Sequence, residues 1–439
     1  MPDLYLRIFP TYYLTIYSIL WGVFFLFLLL KRKEVLSISN LFVGLFFLNA
    51  LISIWIINNP YYTTANIYRG FCIESFTPLL YLFLTLLMWA TPLFSIKKDS
   101  IQSVYLYSPN SPNLIKKFLF YGIIVIYVIA ALFVFLASIS QVGNISMLYS
   151  SDSVSKKIIQ AEYIYTICSK NTLTKYSYHV YNAFSDSMIV ISFFFLSRKR
   201  KIVGLLLFVI TIISQILLGV IAINRQILIC VLLTILITSI LFKNVLNGKI
   251  KKILFGSLLI FSIGLFVPVV LISFLRFGSN INYTLWTMFR YLGESPINFA
   301  SEIWFHQKEL LLSKYSFNVF WGKSIDQRIT EARHIAGISG DLFYTYIGDL
   351  IIDFGRFAIF IIGVLICIYF FRKKISKNIS LASLMFLQTW CIMCVEGVFL
   401  FFHCLTPTKL IIPFIFYFIL NVSLKKHEIP LRFDQHRKR

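Results

Sequence analysis

Apolar residues gather in long runs along this chain, and polar residues are confined to the stretches between them. A helix crossing a bilayer core about 30 Å thick needs about 20 residues at 1.5 Å each. Eleven runs meet that length, at approximately 11–30, 38–57, 75–95, 118–139, 179–197, 202–221, 226–242, 253–275, 343–371, 379–400 and 405–423. The pattern predicts an all-α polytopic membrane protein with about eleven transmembrane helices. The sixth and seventh runs share the hinge Ala222–Arg225 and so predict a tight helical hairpin. The ninth run is long enough to tilt or to extend beyond the bilayer.

Composition agrees with lipid as the main solvent. Of the 439 residues 58% are hydrophobic and only 13% charged, with a mean hydropathy of +0.80. A soluble domain carries roughly 25% charged residues. Disorder, collagen and a disulfide scaffold are excluded by the same composition. Seven cysteines, most of them inside apolar runs, give little support for an oxidised framework. The start MPDLYLRIFP lacks the basic region and cleavage site of a signal peptide, so the first run is expected to stay in the mature protein.

The net charge of +23 changes meaning once it is sorted by position. Alternate connections hold Lys31–Lys33; Lys97, Lys98, Lys116 and Lys117; Arg198–Lys201; Lys243, Lys249, Lys251 and Lys252; Arg372, Lys373, Lys374 and Lys377; and the tail from Lys425 to Arg439. These segments contain 25 of the 41 basic residues against four acids. With eleven spans they all fall on one face, which the positive-inside rule makes cytoplasmic, with the N-terminus outside and the C-terminus inside. The other 16 basic and 14 acidic residues nearly cancel. An excess that only sets orientation leaves no reason to expect nucleic acid as a partner.

Two long connections lie on the opposite face, at about 140–178 and 276–342. They divide the chain into residues 1–275 with eight spans, a large outer loop at 276–342, and residues 343–439 with three spans and a basic tail. The loop is aromatic and mixed in charge, so it is expected to be partly helical, with Ser324–Ala336 as an amphipathic helix ending at Gly337.

Chemistry is sought in that outer region. Arg225, Arg276, Arg290, Arg328, Arg333 and Arg356 supply guanidinium groups, the side chain best matched to phosphate. They could equally snorkel to headgroups or balance nearby acids. Asp349, Asp353 and Arg356 are spaced to share one face of the ninth helix, facing a wet cavity in either a structural or a catalytic triad, with Glu396 a further candidate for that cavity. Asp186 reads as a polar helix contact. The stretch Arg290–Asn298 (RYLGESPIN) mixes a cation, an acid, amide and hydroxyl groups and a Gly/Pro turn, which suits sugar hydroxyls. Trp286, Tyr291, Trp304 and Trp321 offer rings for stacking on pyranoses, or an interfacial aromatic belt. His334 is a candidate base because imidazole titrates near neutrality. Zinc-protease, P-loop and serine-elbow motifs are missing, and Cys391 and Cys394 stand alone inside an apolar run, so no metal or cofactor is expected.

Several of these features together resemble the bacterial oligosaccharide repeat-unit polymerases of the Wzy type. They are the helix count, the large late outer loop, the Asn224–Arg225 hairpin, the string RYLGESPINF from Arg290, and YTYIGDLIIDFG from Tyr344 to Gly355. The resemblance implies a GT-C-like membrane glycosyltransferase of the bacterial inner membrane, active at the outer leaflet. A glycan on undecaprenyl pyrophosphate would be transferred to a hydroxyl of the next lipid-linked repeat unit, building O-antigen or capsule. It implies Arg225, Arg276 and Arg290 as pyrophosphate ligands, Glu294 and then Asp353 (or His334) as the acid or base, and Tyr291, Asn298 and Trp304 on the glycan. Implied partners are membrane lipid, a flippase and a chain-length regulator. An O-antigen ligase-like transferase and, in another class, a lipid-linked oligosaccharide flippase are the alternatives.

Overall fold

The computed structural model describes residues 2–32, 36–59, 73–96, 101–106, 114–142, 172–198, 200–221, 225–256 (with 258, 264 and 270), 281–322, 325–340, 342–372, 375–399 and 408–421. The chain is a helical multi-pass membrane protein. Its helices are α1 (Pro2–Arg32), α2 (Ile38–Ile57), α3 (Thr77–Trp89), α4 (Thr91–Ser95), α5 (Leu114–Val142), α6 (Thr172–Leu196), α7 (Lys201–Ile221) and α8 (Arg225–Leu241). There follow α9 (Ile281–Gly293), α10 (Ser295–Asn298), α11 (Ile325–Glu331), α12 (Thr345–Arg372), α13 (Leu381–Glu396) and α14 (Thr408–Asn421). A short parallel pair, β1 (Ser103–Tyr105) and β2 (Asn378–Ser380), is the one sheet among the described residues.

The expectation of an eleven-span, GT-C-like bundle does not hold. Among the described residues, six helices are long and apolar enough to cross a membrane: residues 10–32 of α1, α2, residues 114–140 of α5, α6, α7 and α12. Four more apolar helices fall short, with 13 residues in α3, 17 in α8, 16 in α13 and 14 in α14. The apolar runs overstate the helices because they include residues that are not helical. The run at 75–95 breaks at Ala90, and Pro78 and Pro92 each start a helix, in first turns where a missing N–H costs nothing. The run at 379–400 begins in β2 and ends in a turn at 397–399. Most of the run at 253–275, the loop at 143–171 and the tail after 421 lie outside the described residues.

Contacts, rather than a count of spans, show how the ends are arranged. The connections after α1, α4, α6 and α12 meet at one end. Arg32 donates to Ile96 O at 2.9 Å and also to Phe94 O, and Arg198 donates to Val104 O at 2.6 Å. β1 pairs with β2 in register Val104↔Ile379, and Arg200 donates to the Tyr121 hydroxyl at 2.9 Å. Four basic connections are therefore tied to one another by hydrogen bonds to backbone carbonyls.

Aromatic packing fills the interior. Trp21 stacks on Phe46 with centroids 5.1 Å apart and meets Phe83 edge-on at 4.9 Å. Large apolar side chains stay exposed along α1, α5, α7 and the second half of α12, including Leu30, Phe118, Leu206, Phe357 and Leu365, as lipid contact requires.

At the end opposite the basic connections, α9 lies across the end of α2. A Cβ built on Gly293 would sit 2.6 Å from Ile52 Cγ2 and 2.9 Å from the Ile52 carbonyl carbon. Because backbone cannot yield as a side-chain tip does, Gly293→Val should destabilise the fold by about 1–3 kcal/mol. Thermal unfolding in detergent checks this, with Gly122→Val, whose Cβ would meet nothing within 4 Å, as the control.

Candidate functional site

The described residues of the 281–342 region fold into a platform on that end. α9 is amphipathic and buries Trp286 and Thr287. Its last carbonyls would be orphans in an apolar setting, and α2 supplies the donors. Asn49 Nδ2 reaches Leu292 O and, at 3.1 Å, Ser295 Oγ, while Ser53 donates to Gly293 O at 2.6 Å. α10 then runs through a π-turn (Phe299–Ile303) into a last turn at Trp304–His306.

Arg290 and Glu294, one turn apart, form an ion pair at the junction of α9 and α10. The Arg290 guanidinium also lies over the Trp286 ring, 5.7 Å from its centroid. Burial works against its charge, but the adjacent Glu294 carboxylate, together with Tyr291 and Tyr283, raises the guanidinium above its ordinary pKa. Glu294 is buried, so its charge is answered mainly within the protein. Tyr291 packs on Phe343 at 5.2 Å and Asn298 donates to Phe343 O at 3.2 Å. Both residues thereby hold the approach to α12.

α12 is not one straight helix. Gly355 has φ 80 and ψ 159, far from helical values. Residues 345–353 are buried in the platform, and the half from Arg356 to Arg372 is largely exposed on its apolar side. The carbonyls released at the break are taken by 307–312: Gln307 Nε2 reaches Ile352 O at 3.1 Å, Leu311 N reaches Ile352 O, and Leu312 N reaches Asp353 O, each at 3.1 Å. The Asp353 carboxylate accepts from Tyr315 N at 2.9 Å and Ser316 N at 2.6 Å. The expectation that Asp349, Asp353 and Arg356 share a face therefore needs correcting. The glycine turns Arg356 away, so Asp353 clamps the 315–316 turn while Arg356 stands at the start of the second half.

Arg356 is exposed, and its guanidinium lies over Trp304 at 4.4 Å from the ring centroid. Tyr81 on α3 packs against Trp304 at 5.0 Å and donates to Arg356 O at 2.5 Å. A new helix N-terminus, a fixed cation and two rings thus converge there. Helix N-termini favour anions through aligned N–H dipoles.

Other candidates lie elsewhere. His334 and Arg333 are exposed on the π-turn Ala332–Ala336, and Arg328 lies over Tyr315 at 4.6 Å. Trp321 is exposed and donates to Ser313 Oγ at 3.0 Å. Glu396 does not join Asp349 and Asp353; it meets Thr234 of α8, while Asp186 pairs with Lys409. The Arg225 side chain, Asn224 and Arg276 lie outside the described residues. Among the described residues no group of three or more His, Cys, Asp or Glu could hold a metal ion.

Glu302 and Lys409 escaped the sequence reading. Buried Glu302 accepts from Ser339 N at 2.5 Å and from the Tyr344 hydroxyl, closing the platform on itself. Its one signal is an acid inside the apolar string FASEIWF. An apolar cleft of about 230 Å³ between α7, α8 and Leu254 and Leu258 is lined by Phe208, Ile212, Ile216 and Ile235.

No protein-family model matches the chain, and no curated protein or solved structure matches it either.

Replacing Asp353 by Ala leaves two buried backbone donors without their acceptor, at about 1–3 kcal/mol each. Asp353→Ala should unfold at lower temperature and be cleaved faster by protease within 307–322. An unchanged cleavage rate would leave the clamp without weight.

Proposed function

We propose that the chain joins lipid-pyrophosphate-linked glycan repeat units into a bacterial polysaccharide such as O-antigen or capsule. One arrangement carries the reading beyond the motif resemblance: the Arg356 guanidinium, stacked on Trp304, at the N-terminal turn opened by Gly355. Sixteen residues separate Arg356 from Arg372, so the two are about 24 Å apart along the helix. With Arg372 at the basic end, that spacing covers most of a hydrocarbon core about 30 Å thick, so the long Arg356 side chain would extend toward the headgroups of the opposite leaflet, where a lipid pyrophosphate would lie.

Glycosyl transfer from such a donor builds negative charge on the departing pyrophosphate. A fixed cation and a helix N-terminus aimed at that charge lower the barrier. Trp304, packed on Tyr81, is an aromatic group suited to a sugar beside the same cation. Glu294, held by Arg290, is the acid suited to orient or deprotonate the acceptor hydroxyl. Arg225 and Arg276 remain proposed pyrophosphate ligands. The tied basic connections support a cytoplasmic basic end by the positive-inside rule, with the platform and N-terminus outside and the C-terminus inside. A flippase would deliver the units and a chain-length regulator would act on the product.

The test is complementation of cells lacking the wild-type gene, followed by glycan laddering. At equal membrane abundance, Arg356→Ala should cut polymer at least tenfold and leave single capped units, with Arg356→Lys restoring part of it. Normal ladders from Arg356→Ala would overturn the anion role. Polymer stranded on its carrier in the deletion strain would indicate a ligase instead.

A further inference from the structure

Two acids and a lysine meet inside the helix bundle, next to the platform. Asp186 on α6 and Lys409 on α14 form an ion pair, Nζ standing 3.0 Å from Oδ2 and 3.2 Å from Oδ1. Glu396, the last residue of α13, is only 2% exposed and accepts from Thr234 Oγ1 of α8 at 3.3 Å. The groups facing it are Thr234 and the Cys230 thiol from α8, Asp186 from α6 and Lys409 from α14. Tyr346 of α12 is buried against the adjoining Gly397.

Among the described residues the charges in this cluster do not balance: two carboxylates meet one ammonium, and that ammonium lies against Asp186. Among the described residues Glu396 Oε2 meets no hydrogen-bond donor of ordinary geometry, and the thiol that faces it donates only weakly. Gln388, fully buried, shows a second unanswered acceptor. Its Nε2 donates to Asp186 O at 3.3 Å and to Thr238 Oγ1 at 3.2 Å. The Thr238 hydroxyl hydrogen is already given to Thr234 O at 2.7 Å, so reversing the amide would leave its oxygen facing another acceptor. Among the described residues Gln388 Oε1 therefore remains without a donor. An ion pair that merely joins helices would account for Asp186 and Lys409 but not for a second, uncompensated carboxyl group.

We propose that Glu396 is a proton-binding site in the interior of the bundle, leaving the cluster without net charge. An O–H bond of solvent hydronium breaks as the carboxyl O–H bond forms, and a neutral water is left in the solvent. A carboxylate without its own cation in low-dielectric surroundings neutralises rather than stays charged. The site adjoins the platform. Ser295 Oγ donates to Val398 O at 2.8 Å, Tyr346 N to Gly397 O at 2.9 Å and Thr345 N to Phe399 O at 3.0 Å. The proton therefore sits where the bundle is sewn to the platform.

The test is infrared spectroscopy of the full chain in lipid nanodiscs at neutral pH. The wild-type protein should show the carbonyl stretch of a protonated carboxylic acid. Glu396→Gln should remove it, and the double variant Asp186→Asn, Lys409→Met should retain it. If Glu396→Gln does not fold, Glu396→Asp keeps a carboxyl in a changed setting and should shift the band. A band unaffected by substitution at Glu396 overturns the proposal. Loss of the wild-type band on adding sodium at fixed pH also overturns it, in favour of a metal cation.

Discussion

A helix surrounded by lipid and apolar side chains cannot be broken unless other groups take over the hydrogen bonds it gives up. α12 is broken at Gly355, and the platform is organised around that debt. Gln307, Leu311 and Leu312 answer the carbonyls of Ile352 and Asp353, Asp353 gathers the Tyr315 and Ser316 amides, and Tyr81 takes the Arg356 carbonyl. These groups come from two distant parts of the chain. Once they have closed on the break, the backbone of Arg356 is set beside Trp304, and its side chain reaches over that ring.

The two ends of the molecule use charge differently. At the basic end, arginines are committed to carbonyls of neighbouring connections, as with Arg32 on Ile96 and Arg198 on Val104, so part of the large positive excess is structural cement. At the platform end, two of the buried acids are answered locally. Arg290 is matched by Glu294, and Glu302 is satisfied by Ser339 and Tyr344. Arg356 differs from Arg290 because its described contact is an aromatic face, not a carboxylate.

The long spans were legible because roughly twenty consecutive apolar residues suit a bilayer and little else. The short helices were not, since Ile379 in a strand, Ala90 at a break and Gly397–Phe399 in a turn are as apolar as their helical neighbours. The Arg290–Glu294 pairing follows from a spacing of four residues across the junction of α9 and α10. The shared face expected of Asp349, Asp353 and Arg356 fails because Gly355 adopts a φ of 80. A glycine between two such residues was the one local signal of a break. The Asp186–Lys409 pair joins residues 223 apart, and no local pattern encodes that contact.

The most direct measurement is equilibrium binding of a short-chain isoprenyl pyrophosphate to the purified chain in nanodiscs, compared with the matching uncharged isoprenol. An anion site at the break in α12 predicts saturable binding of the pyrophosphate that weakens as salt rises, and a loss of at least tenfold in Arg356→Gln. The isoprenol should bind wild type and variant alike. Equal pyrophosphate affinity in wild type and Arg356→Gln, both folded, would contradict it.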